Sequence, residues 1–263
     1  MLVSSPLAQY AAEHWIEHAK SGGIDTALLK LIFQLFTSEN AAFTNWIRIH
    51  NIDFILWDQD LSLDKAEVNP PLYYASLAGL QQVSKYLLEK GADVNALGGH
   101  YGNALQVASA QGYEEIVELL LENGANVNAQ EENYGNALQV ASTEGCEGIV
   151  KLLLEKGADV NAQGGAYGNA LQAASSQGHE GIIKLLLEKG ANINGQGGPY
   201  GHALYAASSR GHEGIVKLLL EKEADMNSQK GVYGKALHMA SERGHKGIVK
   251  LLLEKEVDIN AKL

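Results

Sequence analysis

The pattern Tyr-Gly-x-Ala-Leu occurs five times, starting at Tyr101, Tyr134, Tyr167, Tyr200 and Tyr233, with 33 residues from each start to the next. A unit of that length cannot bury an apolar face alone, so a chain built on it must stack its units and share one continuous core. Such an array grows by addition and escapes the size limit of a single globular core.

The type unit, 101 to 133, reads YGNALQVASAQGYEEIVELLLENGANVNAQEEN and predicts two helices and a loop. Asn103 stands as the cap of the first helix, with Gln106 placed to reach back to the cap's N–H; Asn136 with Gln139 and Asn169 with Gln172 repeat the pair. Leu105, Val107 and Ala108 give a short apolar face, and Gly112 supplies the left-handed residue that ends the helix. In the second helix Ile116, Val117, Leu120 and Leu121 share one face, and Glu114, Glu115 and Glu118 stay outside. Gly124 ends it, and Asn126 to Asn133 form an extended connection. The fold class expected is all-α: helix-turn-helix-loop units in a solenoid.

Two antiparallel helices and a projecting loop at this period, with Gly-Ala-Asp-Val-Asn-Ala at 91–96 and 157–162, resemble the ankyrin repeat. The Gly-His turns at Gly178-His179, Gly211-His212 and Gly244-His245 and the Leu-Leu-Leu runs fall in register with it. The resemblance covers 68–263 and implies six repeats, at about 68–100, 101–133, 134–166, 167–199, 200–232 and 233–263. Where that family usually opens its first helix with Thr-Pro-Leu-His, this chain has Asn-Ala-Leu-Gln, His202-Ala203-Leu204-Tyr205 or Lys235-Ala236-Leu237-His238. Such openings resemble the ankyrin arrays of large fungal proteins that carry a nucleotide-binding signalling domain of the NACHT or STAND type. The phrase PLAQYAAEHWIEHAKSG near the start is similar to the segment that joins such a domain to its repeats.

Residues 1–67 lack the period but contain all three Trp and all four Phe. Apolar residues at helical spacing, such as Leu7, Tyr10, Ala11 and Trp15, predict a helical capping segment over the first repeat, with a separate partner-binding bundle as the alternative. At the other end the helix Gly247 to Lys255 keeps the internal sequence IVKLLLEK, so it should expose leucine where a further unit would sit. Truncation of the array, or self-association through this uncapped repeat, follows as an expectation. Glu223 and Glu256 replace the glycine that ends the second helix elsewhere, at about 1 kcal/mol each if the position stays left-handed.

The chain carries 31 acidic against 20 basic residues, a formal charge of -11, without the clustered Lys and Arg that nucleic acid requires. Its one cysteine, Cys146, allows neither an internal disulfide nor a cysteine-based zinc site, which suits a reducing compartment. The first residues lack a secretory pattern, and the apolar stretch from Ala27 to Phe36 is interrupted by Lys30 and Gln34 and too short to span a bilayer. The expected setting is cytoplasmic, with neither membrane nor nucleic acid as partner.

No catalytic constellation, cofactor motif or metal set emerges. His179, His212 and His245 stand one repeat apart, too far to share an ion. Gly231 to Ala236 lacks the glycine spacing and hydroxyl of a phosphate loop. Cys146 has no recognisable base, and paired carboxylates such as Glu131-Glu132 read as solvated faces. The family resemblance implies binding through loop tips and the exposed end of the first helix. That maps onto His100, Glu132, Asn133, Pro199 and Val232 on loops and Gln111, Glu144, Gln177, Arg210 and Arg243 on helices, positions that vary among units while core positions do not. Tyr101, Tyr134, Tyr167, Tyr200 and Tyr233 form an aromatic series, packed between loops or offered to an extended partner. The function expected is a non-enzymatic module that binds another protein; the alternative is the sensing or autoinhibitory arm of a nucleotide-dependent signalling protein.

Overall fold

The computed structural model describes residues 69–198, 201–222 and 230–260, giving the backbone alone for 230–233 and 256–260. The expected cap at 1–67, with Pro199 and Tyr200, lies outside the described residues. Regular structure among the described residues is helical, in six consecutive pairs. The chain divides into two compact units, Met1–Asn126 and Val127–Leu263. In the first unit the pairs are Pro71–Leu77 with Gln81–Glu89 and Ala104–Gln111 with Glu114–Glu122. In the second they are Ala137–Glu144 with Glu147–Glu155, Ala170–Gln177 with Glu180–Glu188, Ala203–Arg210 with Glu213–Glu221, and Lys230–Glu242 with Lys246–Asn260.

Caps set the length of the short first helices. Asn103, Asn136 and Asn169 sit in extended backbone, and each side chain accepts the N–H three residues on, from Gln106, Gln139 and Gln172. Gly112, Gly145 and Gly178 close the same helices at φ 78°, 80° and 93°. The full reciprocal box forms at Asn136, whose N–H is bonded by Gln139 Oε1 at 2.9 Å. The buried face of the first helices is rich in Ala, Ser and Leu, as at Ala170, Leu171, Ala174 and Ser175, and small side chains let neighbouring first helices approach closely. Second helices bury Ile, Val and Leu, as at Ile149, Val150 and Leu153. Fully burying each such side chain contributes roughly 1.5–3 kcal/mol.

Three side chains recur as ties between successive pairs. Asn128 donates from Nδ2 to the Gly157 carbonyl at 3.3 Å and accepts the Asp159 N–H at 2.8 Å. Asn161 does the same to Gly190 and Asn192, and in the first unit Asn95 to Gly124 and Asn126. One amide thereby satisfies a helix-end carbonyl and a loop N–H of the next pair. His179 and His212 bond through Nε2 to the Thr143 and Ser176 carbonyls, at 2.9 and 3.0 Å. Their rings cover the helix-ending glycines of the preceding pair: a Cβ on Gly145 would lie 2.6 Å from the His179 ring, and one on Gly178 2.8 Å from the His212 ring. The Gly-His turn is therefore a packing device in which glycine supplies both the left-handed turn and the space for the next imidazole.

The third tie is glutamine. Gln139 Nε2 donates to the Ala162 and Gly168 carbonyls at 3.0 and 3.3 Å, and Gln172 Nε2 to Gly195 and Gly201 at 3.0 and 2.8 Å. Each buried glutamine thus stitches the first helix to the loop of the following pair.

The last pair departs from expectation. Its first helix begins at Lys230, so Val232 and Tyr233, expected on a loop tip, lie within a helix of 13 residues. Lys235 holds the position that Asn103, Asn136 and Asn169 use to cap, and an ammonium cannot accept an N–H bond. The final helix, expected to end near Lys255, continues to Asn260. Leu253 is 46% exposed where its counterpart Leu220 is 6% exposed, in line with the leucine exposure expected there.

Candidate interaction groove

In the second unit the loops form short hairpins, bridged in antiparallel sense at Glu131 with Gly135, Gly164 with Gly168 and Gly197 with Gly201. They stack tip against backbone. A Cβ on Gly165 would meet Gly135 N and the Tyr134 carbonyl carbon at 2.7 Å, and one on Gly198 would meet Tyr167 C at 2.6 Å. Ala166 N–H donates to the Asn133 carbonyl at 2.8 Å, fixing one hairpin on the previous one. The glycines therefore set how closely the tyrosines of successive hairpins follow each other.

Tyr134 and Tyr167, both half-buried, flank a groove of about 380 Å³ between consecutive hairpins. Asn133 and Ala166 line it from the loops, and Val140, Thr143, Glu144 and Gln177 from the first helices. Five residues separated in sequence, Asn133, Tyr134, Glu144, Tyr167 and Gln177, meet there. Gln177 Nε2 lies 3.4 Å from the Tyr167 hydroxyl, tying the helix end to the loop.

The electrostatics are one-sided. Glu131, half-exposed, accepts the Asn133 and Tyr134 N–H groups at 2.7 and 2.8 Å, so beyond facing solvent its carboxylate closes the hairpin that lacks a Gly-Gly tip. Burial first, then the Glu131 and Glu144 carboxylates, push the Tyr134 hydroxyl above its ordinary value. Glu144 is exposed, and no ion pair with a described residue neutralises it or Glu131. The groove combines two aromatic faces, amide donors and acceptors, and uncompensated negative charge.

The other residues singled out by sequence are more scattered. Glu132 is exposed at the hairpin tip, and Arg210 at the end of its helix. Arg243 donates from its guanidinium to the Ser209 carbonyl at 2.6 Å, filling the tying role that His212 has one pair earlier. His100 and Gln111 are exposed in the first unit, where the His100 ring stands edge-on to Tyr101 at 5.7 Å. Tyr101 is half-buried like its counterparts in the second unit. Thr143, Val140 and Ala166 were not foreseen. Thr143 carried a faint signal, a β-branched residue where the neighbouring units place Ala110, Ser176 and Ser209.

A larger cavity, about 460 Å³, opens between second helices and is lined by residues including Lys184, Glu188, Leu218 and Lys222. Lys184 and Glu188 recur as Lys151 and Glu155, Lys217 and Glu221, and Lys250 and Glu254. A Lys and Glu pair repeated in most units singles out a place along the array poorly, so the smaller groove with its varying lining is the better candidate. Among the described residues no three His, Cys, Asp or Glu side chains gather to hold a metal. Burial and the Glu144 charge raise the Cys146 thiol, which keeps it protonated and weakly nucleophilic.

A family model for ankyrin repeats in three copies matches residues 97–164, 164–230 and 199–262, and a model of the single ankyrin repeat matches 69–98. The chain belongs to the ankyrin repeat family. Ankyrin repeats generally mediate protein–protein interaction, and proteins built from them are typically non-enzymatic. This ankyrin repeat chain is also similar to an azaphilone pigments biosynthesis cluster protein L of Monascus ruber, 39% identical over 114 residues, covering 38% of the chain and 24% of the relative. The chain thus spans about a quarter of the curated relative it matches. No described helix is long and apolar enough to cross a membrane.

Proposed function

We propose that the chain is a non-enzymatic binding module that holds a protein partner through the loop tips and exposed first-helix ends of its second unit, centred on the groove between Tyr134 and Tyr167. The observation that supports this reading most is the convergence of varying residues on one groove. Asn133 and Glu144 differ from their counterparts in every other unit, Gln177 is shared with Gln111 alone, and the three line the same depression. Of the residues that bond one pair to the next, Asn128 and Asn161 keep their type in every unit, and Gln139 and Gln172 share theirs with Gln106. A constant frame with a varying face suits recognition.

A photo-crosslinking amino acid at Gln177, against one at Lys151 on a second helix, tests the reading in extract of the source cells. Adducts with a discrete protein from position 177, competed by unmodified chain, are expected. Equal labelling from position 151, or none from 177, would overturn it.

The phrase PLAQYAAEHWIEHAKSG supports a second reading, a sensing arm of a nucleotide-dependent signalling protein. A Walker-type motif encoded in frame upstream of Met1 is its expected signature, and a stop codon immediately upstream would count against it.

A further inference from the structure

We propose that the groove between Tyr134 and Tyr167 accepts an arginine or lysine side chain from an extended segment of the partner protein. This rests on the preceding reading of the groove as the binding surface and gives the chemistry of its occupant.

Three features of the groove select a cation. Tyr134 and Tyr167 offer aromatic faces in a space of about 380 Å³, and a guanidinium or ammonium held over a tyrosine ring is attracted by the ring quadrupole. Glu144 lies on the wall and Glu131 in the supporting hairpin, neither neutralised by an ion pair with a described residue. Half-buried Tyr134 has its hydroxyl raised above its ordinary value by burial first and then by the Glu131 and Glu144 carboxylates, in keeping with the two acids beside the groove. No Lys, Arg or His lines the groove, so nothing there repels a cation. An acidic occupant would be opposed by both carboxylates, and an apolar one would leave the Glu144 charge uncompensated.

Position along the array makes the site singular. Glu144 is replaced by Ala78, Gln111, Gln177, Arg210 and Arg243 in the other units, and Glu131 by Gly98, Gly164, Gly197 or Lys230 at the preceding and later loops. Only this unit combines a carboxylate at the first-helix end with one in its hairpin, so a basic side chain has one place to settle. Its neighbours on the partner chain, about 3.3 Å apart per residue, would lie along the stacked hairpin tips.

The test is a ¹⁵N–¹H titration of the full chain with three ten-residue Gly-Ser peptides carrying two central arginines, two glutamates or two glutamines. The arginine peptide is expected to shift the amides of Asn133, Tyr134, Glu144, Tyr167 and Gln177, and the other two to leave them in place. Glu144→Gln should weaken the arginine peptide by about fivefold, the loss of one partly screened charge contact, while Glu155→Gln on a second helix should change it less than about twofold. Shifts spread over the acidic surface, equal effects of the two substitutions, or equal binding of the glutamate peptide would overturn the proposal. Crosslinking from Gln177 to a partner segment without basic residues would overturn it too, yet leave the binding surface standing; crosslinking from Lys151 alone would remove both.

Discussion

Residues Gly148–Lys156 and Gly247–Lys255 carry the same nine amino acids, GIVKLLLEK, yet the first helix stops at Glu155 and the second runs on to Asn260. What differs is the next residue. Gly157 takes φ 89°, the chain turns, and Ala158 N–H bonds back to the Leu153 carbonyl at 2.9 Å. Glu256 would incur roughly 1–2 kcal/mol in that conformation, and continuing the helix avoids the cost. The turn also places Asn161, whose amide ties the pair to the next one, whereas the backbone at Asn260 is still helical. Helix length in this chain is set by its stops and caps, not by the propensity of the leucine run.

The comparison can be broken most severely at the hairpin stack. Gly165→Ala places a Cβ against backbone at 2.7 Å and at φ 62°, so neither strain nor clash can relax; about 3 kcal/mol of lost stability is expected by urea unfolding. Gln139→Ala removes an N-cap partner and two bonds to the next loop while leaving carbonyls buried, and about 2 kcal/mol is expected by the same measurement. Gly157→Ala has open space around its Cβ and should cost only the left-handed penalty, about 1 kcal/mol. Gly145→Ala, whose Cβ would lie 2.6 Å from the His179 ring, should exceed it. An equal cost for the two would show that the imidazole moves aside freely.

The cap position offers a gentler probe. His202 stands where Asn169 caps one pair earlier; its side chain makes no cap bond, and Nε2 is buried without a hydrogen-bond partner. Burial and the Lys235 charge lower its basicity, so the folded chain favours the neutral ring while the unfolded chain binds a proton more readily. Stability contributed by the neutral ring is therefore present above the ordinary imidazole value of about 6.5 and falls as pH drops below it. His202→Asn should raise stability by about 1 kcal/mol and remove that part of the acid-side loss in urea midpoints at pH 5 and 7. The smallest effect expected is at the last helix: Glu256→Gly should shorten it toward Lys255, seen as lost amide protection from Glu256 to Asn260, with stability altered by less than about 1 kcal/mol.

Much of this was legible because the repeat states each rule several times over. The Asn caps, the glycine stops and the apolar stripes are local, and the helices at 104–122, 137–155 and 170–188 follow them. The ties were not legible as ties. That Gln139 crosses to Ala162 and Gly168, or that His179 lies on Gly145, depends on how one pair seats on the previous one, which spacing alone does not give. The last pair was misread because Lys235 and Glu256, both noted as departures, were taken as local costs within an unchanged helix pair and not as the loss of its cap and its stop. In the groove, Glu144 and Gln177 stood out by variation, whereas Glu131 was hidden by its likeness to any surface carboxylate until its bonds to Asn133 and Tyr134 were seen.

The central claim is a division of labour: constant residues hold the pairs together and varying ones in the groove bind. A ¹⁵N–¹H titration with the arginine peptide, run on Asn161→Ala and Glu144→Ala in parallel, reads both sides at once. The account predicts that Asn161→Ala disturbs resonances around Gly190 and Asn192 in the unbound chain yet still shifts Tyr134 and Gln177 on titration at unchanged affinity, and that Glu144→Ala disturbs only its neighbours and shows those shifts at about fivefold or more higher peptide concentration. Binding unweakened in Glu144→Ala and lost in Asn161→Ala would contradict it.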